Sequence, residues 1–284
     1  EEGTIWIVFN GEIYNFLELR EELADKGHRF RSHTDTEVIL HLYEEEGTAC
    51  VTRLIGMFAF ALWDGRENRL FLARDQIGIK PLVYAWDGCR FVFASEIKAL
   101  LRDAEIPRVL DEQVLDLYLS LNYIPAPFSI FKGMAKLRPG HTLTVQEGKL
   151  KESPYWNLDV QGRLPRREGS FAEYKRELFE VLNDAVKRQM IADVPLGAFL
   201  SGGIDSSIIV ALMASHSSAP VKTYSIGFAD MPMFDETDYA RAVAERYATD
   251  HHEIKLSSRD MLAVIPDVLG ALDEPFADSS AIPT

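Results

Sequence analysis

The chain has 284 residues, of which 47% are apolar and 26% charged, a length and composition typical of a globular protein with two domains. Its 44 acidic and 30 basic residues give a net charge of -14, which argues against nucleic acid or anionic membranes as partners. No apolar run reaches the roughly 20 residues of a membrane span, and the start lacks the pattern of a secretory signal, so we expect a cytoplasmic protein. The two cysteines, Cys50 and Cys89, are too few and too far apart in sequence to suggest a disulfide framework or a zinc site.

The first third of the chain is predicted to be an antiparallel sheet with helices beside it, an α+β layout. Residues 4–9 have the pattern of a strand, and residues 16–26 and 35–46 have helical periodicity. Two Asp-Gly pairs, at 64–65 and 87–88, suit tight hairpin turns because glycine tolerates positive φ. They separate the predicted strands 57–63 from 69–73 and 82–86 from 90–94.

The remainder of the chain is predicted to form a connection and a second domain. Residues 123–167 are rich in proline, glycine and charge, so we interpret them as a link between a first domain at 1–122 and a second at 168–284. After a capping box at Ser170, strands alternate with helices, which indicates a parallel, doubly wound α/β sheet. Such sheets bind ligands at the carboxyl ends of their strands. The predicted strands are 194–200, 221–228 and 252–256, and the predicted helices are 206–215, 237–248 and 258–269.

A glycine-rich loop, FLSGGIDSS at 199–207, lies at the end of a predicted strand and directly before a helix. Gly202 and Gly203 let backbone N–H groups approach an anion, and the helix N-terminus adds donors and its dipole. Unlike a Walker loop, it has no lysine for the terminal phosphate, which favours holding a pyrophosphate as a unit, with Asp205 as the Mg²⁺ ligand. The alternative is an ordinary turn between strand and helix that contains two glycines.

This loop resembles the pyrophosphate loop of the ATP-pyrophosphatase family, which includes asparagine, GMP and argininosuccinate synthetases. The segment YSIGF at 224–228 resembles the second strand of the asparagine synthetase branch, whose edge holds the adenine. For Leu200 and Ile226, an ordinary place in the strand core is the competing interpretation. The resemblance implies ATP binding by nine residues, namely Leu200, Ser201, Gly202, Gly203, Asp205, Ser206, Ser207, Ile226 and Gly227.

Near the start of the chain, NGEIYN at 10–15 resembles the glutamine-binding segment of class II glutamine amidotransferases. An Asn side chain plus a glycine N–H can form an oxyanion hole, which assigns that role to Asn10 and Gly11. Glu12 and Asp35 offer carboxylates for the α-ammonium group of glutamine. Taken alone, Asn10-Gly11 is also compatible with a turn, and Asp35 with a helix N-cap.

Two further segments support this resemblance. SHTDTE at 32–37 is similar to the companion acidic segment of the family, and RDQIGIKPL at 74–82 is similar to its RDxxGxKPLYY run. Within the second run, we assign Arg74 and Asp75 to structure rather than to chemistry.

Along nearly its whole length the chain resembles glutamine-hydrolysing asparagine synthetases, with SEIKAL at 95–100 and DEPFADSS at 273–280 extending the similarity. The resemblance implies an N-terminal-nucleophile-type α+β amidotransferase domain followed by an α/β doubly wound ATP-pyrophosphatase domain. It implies glutamine, aspartate and ATP as substrates with Mg²⁺, and it allows a homodimer. The acceptor-binding residues are then Glu274, Asp278 and Ser279, although acidic groups there could equally cap the next element.

The chain departs from the family pattern at both ends. The family's amidase nucleophile is an N-terminal cysteine whose α-amine serves as its base, and neither Cys50 nor Cys89 offers a free α-amine. The family's second acidic metal loop, of SGDGGDE type, is expected to follow Thr284. We therefore expect a fragment that lacks the start of the first domain and the end of the second.

The resemblance implies ATP-dependent synthesis of asparagine from aspartate and glutamine-derived ammonia. The reaction passes through an aspartyl-adenylate and releases AMP and pyrophosphate. One alternative is a related amidotransferase or a β-lactam synthetase that acts on another carboxylate. A second alternative is a non-catalytic module that binds glutamine or nucleotide, which the missing cysteine permits.

Overall fold

The computed structural model describes residues 4–158 and 168–282, with only the backbone of Ser279. These residues divide into two compact units. The first unit holds the described residues up to 158 together with Leu272–Asp278, and the second holds the described residues from 168 to Ala271 and from Ser279 onward. None of the helices within the described ranges is both long enough and apolar enough to cross a membrane.

The first unit contains two antiparallel sheets with helices beside them, in agreement with the predicted α+β layout. Its helices are α1 (Phe16–Asp25), α2 (Asp35–Glu46), α3 (Ile97–Leu100) and α4 (Glu112–Leu121), with a 3-10 segment at Gly47–Arg53. Its strands are β1 (Ile5–Ile13), β2 (Gly56–Asp64), β3 (Arg69–Arg74), β4 (Val83–Trp86), β5 (Phe91–Ala94), β6 (Met134–Lys136), β7 (His141–Gln146) and β8 (Lys149–Pro154). The larger sheet has the order β1-β2-β3-β7-β8 and the smaller sheet β5-β4-β6.

Strand β2 buries both of its faces, which makes it the centre of this unit. Phe58, Phe60 and Leu62 pack into a core shared with residues of α1 and α2. The alternate residues Ala59 and Ala61 pack on the other face, against residues that include the aromatic side chains of β4 and β5. Because successive side chains of a strand point to opposite faces, one strand joins a helical layer to a second sheet.

The segment from 123 to 167, which we expected to connect the domains, contributes strands to the first unit. Within it, β7 pairs with β3 in antiparallel register, with Leu72 opposite Leu143, and β8 then pairs with β7. The buried Leu143 belongs to the same core as Leu72. A segment rich in proline, glycine and charge was expected to form a connection, but pairing with a strand about 70 residues earlier makes it part of a sheet.

The second unit is built on three parallel strands in the order β11-β10-β9, and strands alternate with helices as predicted. Helix α5 begins at the predicted capping box, in which Glu173 N donates to Ser170 Oγ over 3.3 Å and Ser170 N to Glu173 Oε2 over 2.7 Å. The strands are β9 (Gly197–Phe199), β10 (Lys222–Phe228) and β11 (Asp250–Leu256). The helices are α5 (Phe171–Gln189), α6 (Ile204–His216), α7 (Thr237–Tyr247) and α8 (Ser258–Ala271), with 3-10 segments at Pro232–Phe234 and Ser279–Ala281.

Strand β9 is shorter than predicted, since the strand predicted at 194–200 spans only Gly197–Phe199. Pro195 has no N–H group to donate to a neighbouring strand, which disfavours an earlier start. Leu200 N still donates to Tyr224 O over 2.8 Å, so the glycine-rich loop starts from a fixed point at the edge of the sheet.

Candidate functional site

The segment Asn10-Gly11-Glu12 lies inside strand β1, so the interpretation of Asn10-Gly11 as a turn is wrong. Gly11 is opposite Phe58 of β2 and has φ +152°. A Cβ atom on Gly11 would lie 2.1 Å from the carbonyl oxygen of Met57. Only glycine therefore allows β1 and β2 to pair this closely at position 11. The N–H of Gly11, which is proposed for the oxyanion hole, belongs to a residue without a side chain.

Asp35 is joined to the end of this strand. It is the first residue of α2, and its Oδ2 accepts a hydrogen bond from the N–H of Ile13 over 2.9 Å. The N-cap position belongs to Thr34, so the interpretation of Asp35 as the N-cap is wrong. The carboxylate instead ties the start of α2 to β1, one residue beyond Glu12.

Other polar groups surround the same end of β1. The amide of Asn10 donates to Ser95 Oγ over 3.4 Å, a long bond whose donor is available to a stronger acceptor. Burial raises the pKa of the Tyr14 phenol, and the charges of Glu12 and Asp75 raise that pKa further. This end of the strand thus combines an amide donor with a negative field, which suits an amide substrate carrying an α-ammonium group.

Arg74 and Asp75 fix the loop that follows β3 through hydrogen bonds to its backbone. The three nitrogens of the Arg74 guanidinium donate to carbonyl oxygens of Gly78, Lys80 and Leu137 over 2.7 to 2.8 Å. The buried carboxylate of Asp75 accepts hydrogen bonds from the backbone N–H groups of Phe58, Ile77, Gly78, Ile79 and Lys80. Because these contacts lie within the loop and its supports, they agree with a structural assignment for both residues.

The two cysteines, Cys50 and Cys89, are both free thiols in different surroundings. Cys50 is fully buried in the 3-10 segment after α2, and burial, with a further contribution from the charge of Glu46, raises the pKa of its thiol to about 12. Cys89 is exposed after the hairpin turn between β4 and β5. A buried thiol with so high a pKa supplies no thiolate at neutral pH.

In the second unit, the glycine-rich loop is shaped by its contact with α7. Gly202 has φ +81°, and a Cβ atom there would lie 2.5 Å from backbone atoms of Tyr239 and Ala240. Gly203 is the N-cap of α6, which begins at Ile204, two residues earlier than predicted. The first N–H groups of a helix have no intrahelical partner and carry the positive end of its dipole, so this loop ends in a suitable anion site.

The loop's hydroxyl groups are held in place by the loop itself. Ser201 Oγ lies 3.0 Å from Ser206 Oγ and accepts from the N–H of Gly203 over 3.3 Å. Ser206 and Ser207 both donate to the carbonyl oxygen of Gly203, over 3.2 and 2.7 Å. Three hydroxyls are therefore gathered around Gly203, where rotation about χ1 can present them to a bound phosphate.

A cavity of about 590 Å³ opens beside the loop and is large enough for a nucleoside. The predicted contacts Leu200, Ser201 and Ile226 line it. Gly227 does not, because it faces Asp235, whose Oδ1 would lie 2.6 Å from a Cβ atom at that position. The cavity wall also includes Met231 and Phe234, which the sequence analysis missed because isolated apolar residues in a connection give no periodic signal.

The chemistry of this region fits ATP and Mg²⁺. Apolar walls suit an adenine ring, and the glycine loop at a helix N-terminus suits a pyrophosphate. Asp205 is exposed in the first turn of α6 and offers the hard oxygen ligand that Mg²⁺ prefers. Within the part of the chain that the structure describes, Asp205 is not part of a cluster of three or more groups able to hold a metal ion.

The predicted acceptor residues are divided between the units. Glu274 belongs to the first unit, where it forms an ion pair with Lys136 and accepts from the N–H of Ile130 over 3.3 Å. Asp278 is exposed and ends the same segment, whereas the side chain of Ser279 lies outside what the structure describes. An aspartate-binding role for these three residues stays a prediction.

Two family models match the chain. A model of the glutamine amidotransferase domain matches residues 1–156, and a model of asparagine synthase matches residues 177–284. The first match lies within the first structural unit, and the second covers most of the second unit together with Leu272–Asp278 of the first.

Curated relatives match the chain over almost its full length. A putative asparagine synthetase [glutamine-hydrolyzing] 2 of Methanocaldococcus jannaschii is 38% identical over 100% of this chain and 54% of its own length. Asparagine synthetase [glutamine-hydrolyzing] 3 of Bacillus subtilis is 37% identical over 96% of this chain and 46% of its own. A putative asparagine synthetase [glutamine-hydrolyzing] of Mycobacterium tuberculosis is 39% identical over 98% of this chain and 43% of its own. The chain thus spans about half the length of these relatives.

Proposed function

The chain belongs to the family in which a glutamine amidotransferase domain precedes an asparagine synthase domain, and we propose that it is part of an enzyme that makes asparagine. The enzyme would use aspartate, ATP and ammonia taken from glutamine. One observation carries the proposal. A single chain holds both a strand segment in which the Asn10 amide adjoins a sterically required glycine, Gly11, and a glycine loop at a helix N-terminus beside a nucleoside-sized cavity.

In the first unit, the residues at the end of β1 bind and polarise glutamine. The amide of Asn10 and the N–H of Gly11 donate to the oxygen that becomes negative when the substrate amide is attacked. The long bond from Asn10 to Ser95 is weak enough to be exchanged for that oxyanion. Glu12 and Asp35 accept hydrogen bonds from the α-ammonium group and orient the substrate.

In the second unit, the loop holds the β- and γ-phosphates of ATP. The β-carboxylate oxygen of aspartate attacks the α-phosphorus atom, and the bond to the β-phosphate oxygen breaks, which yields aspartyl-adenylate and pyrophosphate. Ammonia then attacks the activated carbonyl carbon, loses a proton and displaces AMP. The N–H groups at the start of α6 stabilise the charge on the departing pyrophosphate. Bound Mg²⁺, which Asp205 would hold, would neutralise part of the same charge.

Substrate choice tests the proposal in the whole protein, supplied with ammonia so that glutamine hydrolysis is bypassed. We expect AMP to form at least about tenfold faster with aspartate than with glutamate, because an extra methylene displaces the reacting carboxylate. AMP formation that ignores aspartate but responds to another carboxylic acid would favour a related amidotransferase or a β-lactam synthetase. Tight binding of glutamine and ATP without AMP formation would favour the non-catalytic module.

A further inference from the structure

A second cluster of polar side chains lies in the first unit, among residues with no part in the proposed chemistry. His28, His41 and Glu44 each offer one ligand atom, and the three atoms lie within 4.8 Å of one another. His28 Nδ1 is 3.1 Å from His41 Nδ1, His41 Nδ1 is 3.0 Å from Glu44 Oε2, and His28 Nδ1 is 3.6 Å from Glu44 Oε2.

These separations match one face of a tetrahedral metal site. Nitrogen and oxygen ligands about 2.1 Å from a tetrahedral zinc ion are roughly 3.4 Å from each other. A cation at that distance from all three atoms would lie roughly 0.9 Å above their plane, with a fourth position open. Two imidazoles and a carboxylate form a donor set that suits Zn²⁺ and its neighbours better than Mg²⁺, which prefers six oxygen ligands.

In both imidazoles, the second ring nitrogen, Nε2, lies near a carboxylate, whereas Nδ1 would bind the cation. His28 Nε2 is 3.0 Å from Glu45 Oε1, and His41 Nε2 is 3.7 Å from Glu37 Oε1. Metal-binding histidines usually donate their other N–H to a carboxylate or carbonyl, which fixes the tautomer. These two carboxylates support a metal site independently of the distances among the three ligand atoms.

The buried ring of His41 gives a further reason for a cation. His41 is 5% exposed, and its Nε2 has no hydrogen-bond partner among the described residues. If a neutral His41 carries its proton on Nδ1, then Nε2 presents a lone pair toward the carboxylate of Glu37. A metal ion on Nδ1 moves the proton to Nε2 and converts that repulsion into attraction.

The backbone fixes the three ligands before any ion arrives. His41 and Glu44 are three residues apart in α2 and therefore share a face of the helix. His28 follows the glycine that ends α1: Gly27 has φ +100°, its N–H donates to Ala24 O over 2.9 Å, and His28 N donates to Leu23 O over 3.1 Å. This is a Schellman motif, which holds the residue after the glycine against the end of its helix.

We propose that His28, His41 and Glu44 form a binding site for a divalent transition-metal ion of the zinc class. The site lies where α1 ends against α2, and it does not depend on the proposed enzymatic function. Its ion would link the two helices that cover one face of the larger sheet.

Calorimetric titration of the purified whole protein with Zn²⁺ tests the site. The protein carries Cys89→Ser, because the exposed Cys89 thiol can also bind zinc. We expect one equivalent of Zn²⁺ to bind and to raise the thermal unfolding midpoint. Co²⁺ should bind in its place and give the visible absorption of a four-coordinate ion, and excess Mg²⁺ should not compete.

Variants at partly buried positions separate this site from adventitious binding, since changing the buried His41 could disturb folding. Glu44→Gln and His28→Asn should each abolish the one-equivalent binding and the thermal shift. Glu45→Gln should weaken affinity by roughly 10–100-fold, and the exposed His252→Asn should leave it unchanged. The proposal is overturned if the parent protein binds no zinc stoichiometrically, or if both ligand variants keep their circular dichroism spectra and still bind one equivalent.

Discussion

At the scale of single residues, the space between two strands decides which residue can stand at position 11 of the segment Asn10-Gly11-Glu12. Gly11 of β1 is opposite Phe58, and Gly56 of β2 is opposite Ile13. A Cβ atom on either glycine would lie 2.1 Å from a carbonyl oxygen of the partner strand. Neither oxygen can move without breaking the pairing of the strands. The chemical role proposed for Gly11 and its structural role therefore demand the same residue.

Replacing Gly11 with alanine should be far more damaging than a glycine replacement made where there is room. Gly148 has φ +69° and nothing within 4 Å of an added Cβ atom, so Gly148→Ala carries only the backbone cost of about 1–2 kcal/mol. Gly11→Ala adds a backbone clash, and we expect it to destabilise the first unit by about 3 kcal/mol or more and to abolish glutamine hydrolysis. Urea unfolding of both variants measures the difference, and equal losses would contradict the steric explanation.

At the scale of secondary-structure elements, the cavity beside the glycine-rich loop depends on the connection between β10 and α7. Asp235 lies in this connection, accepts hydrogen bonds from Thr237 and forms an ion pair with Lys255 of β11 over 2.9 Å. It also fills the space that the missing side chain of Gly227 leaves. One carboxylate thus joins a loop, a helix start and a neighbouring strand.

This contact should make the second unit sensitive to acid. The bond from Lys255, followed by the bonds from Thr237, lowers the pKa of Asp235 to about 2 from an ordinary 3.8. Because the folded-state pKa is the lower one, the stabilisation is complete above about pH 4 and is lost as the pH falls toward 2.

A comparison of variants measures this effect. Asp235→Asn should unfold more easily than the parent at pH 6, and the difference should shrink between pH 4 and pH 2. Asp267→Asn, at an exposed position of α8, is the matched control and should show no such convergence. A stability difference between the parent and Asp235→Asn that is constant with pH would rule out the ionic contribution.

At the scale of the whole molecule, the two proposed reactions belong to two units with separate cores. Asp35 and Gly11 lie in the first unit, whereas Asp205 and the glycine-rich loop lie in the second. A change in one loop should therefore affect one reaction much more than the other.

The variant Asp205→Asn tests this separation in the whole protein. We expect MgATP-dependent pyrophosphate release to fall by roughly 100-fold, because a metal-binding carboxylate is lost, while glutamine hydrolysis changes little. Asp193→Asn, at an exposed carboxylate shortly before β9, should change neither rate. Equal loss of both activities in Asp205→Asn would point to misfolding or to a wrong assignment of Asp205.

The sequence by itself determined the features that depend on neighbouring residues. Helical periodicity predicted α1 and α2, and the pattern Ser-x-x-Glu predicted the start of α5 at its capping box. The order of strand, glycine loop and helix predicted the glycine-rich start of α6. Each of these signals spans at most a few turns of chain, where backbone hydrogen bonding is local and residue type decides the conformation.

Only the tertiary structure decided the features that depend on distant pairing. The pairing of β1 with β2 placed Asn10-Gly11 inside a strand, and the pairing of β7 with β3 turned an expected linker into part of a sheet. The bond from Ile13 to Asp35 and the approach of His28 to His41 likewise join residues that no local pattern relates. Strands pair, and cores pack, with whichever segments fit in shape and satisfy the polar groups across the whole unit. Local sequence patterns do not specify these distant partners.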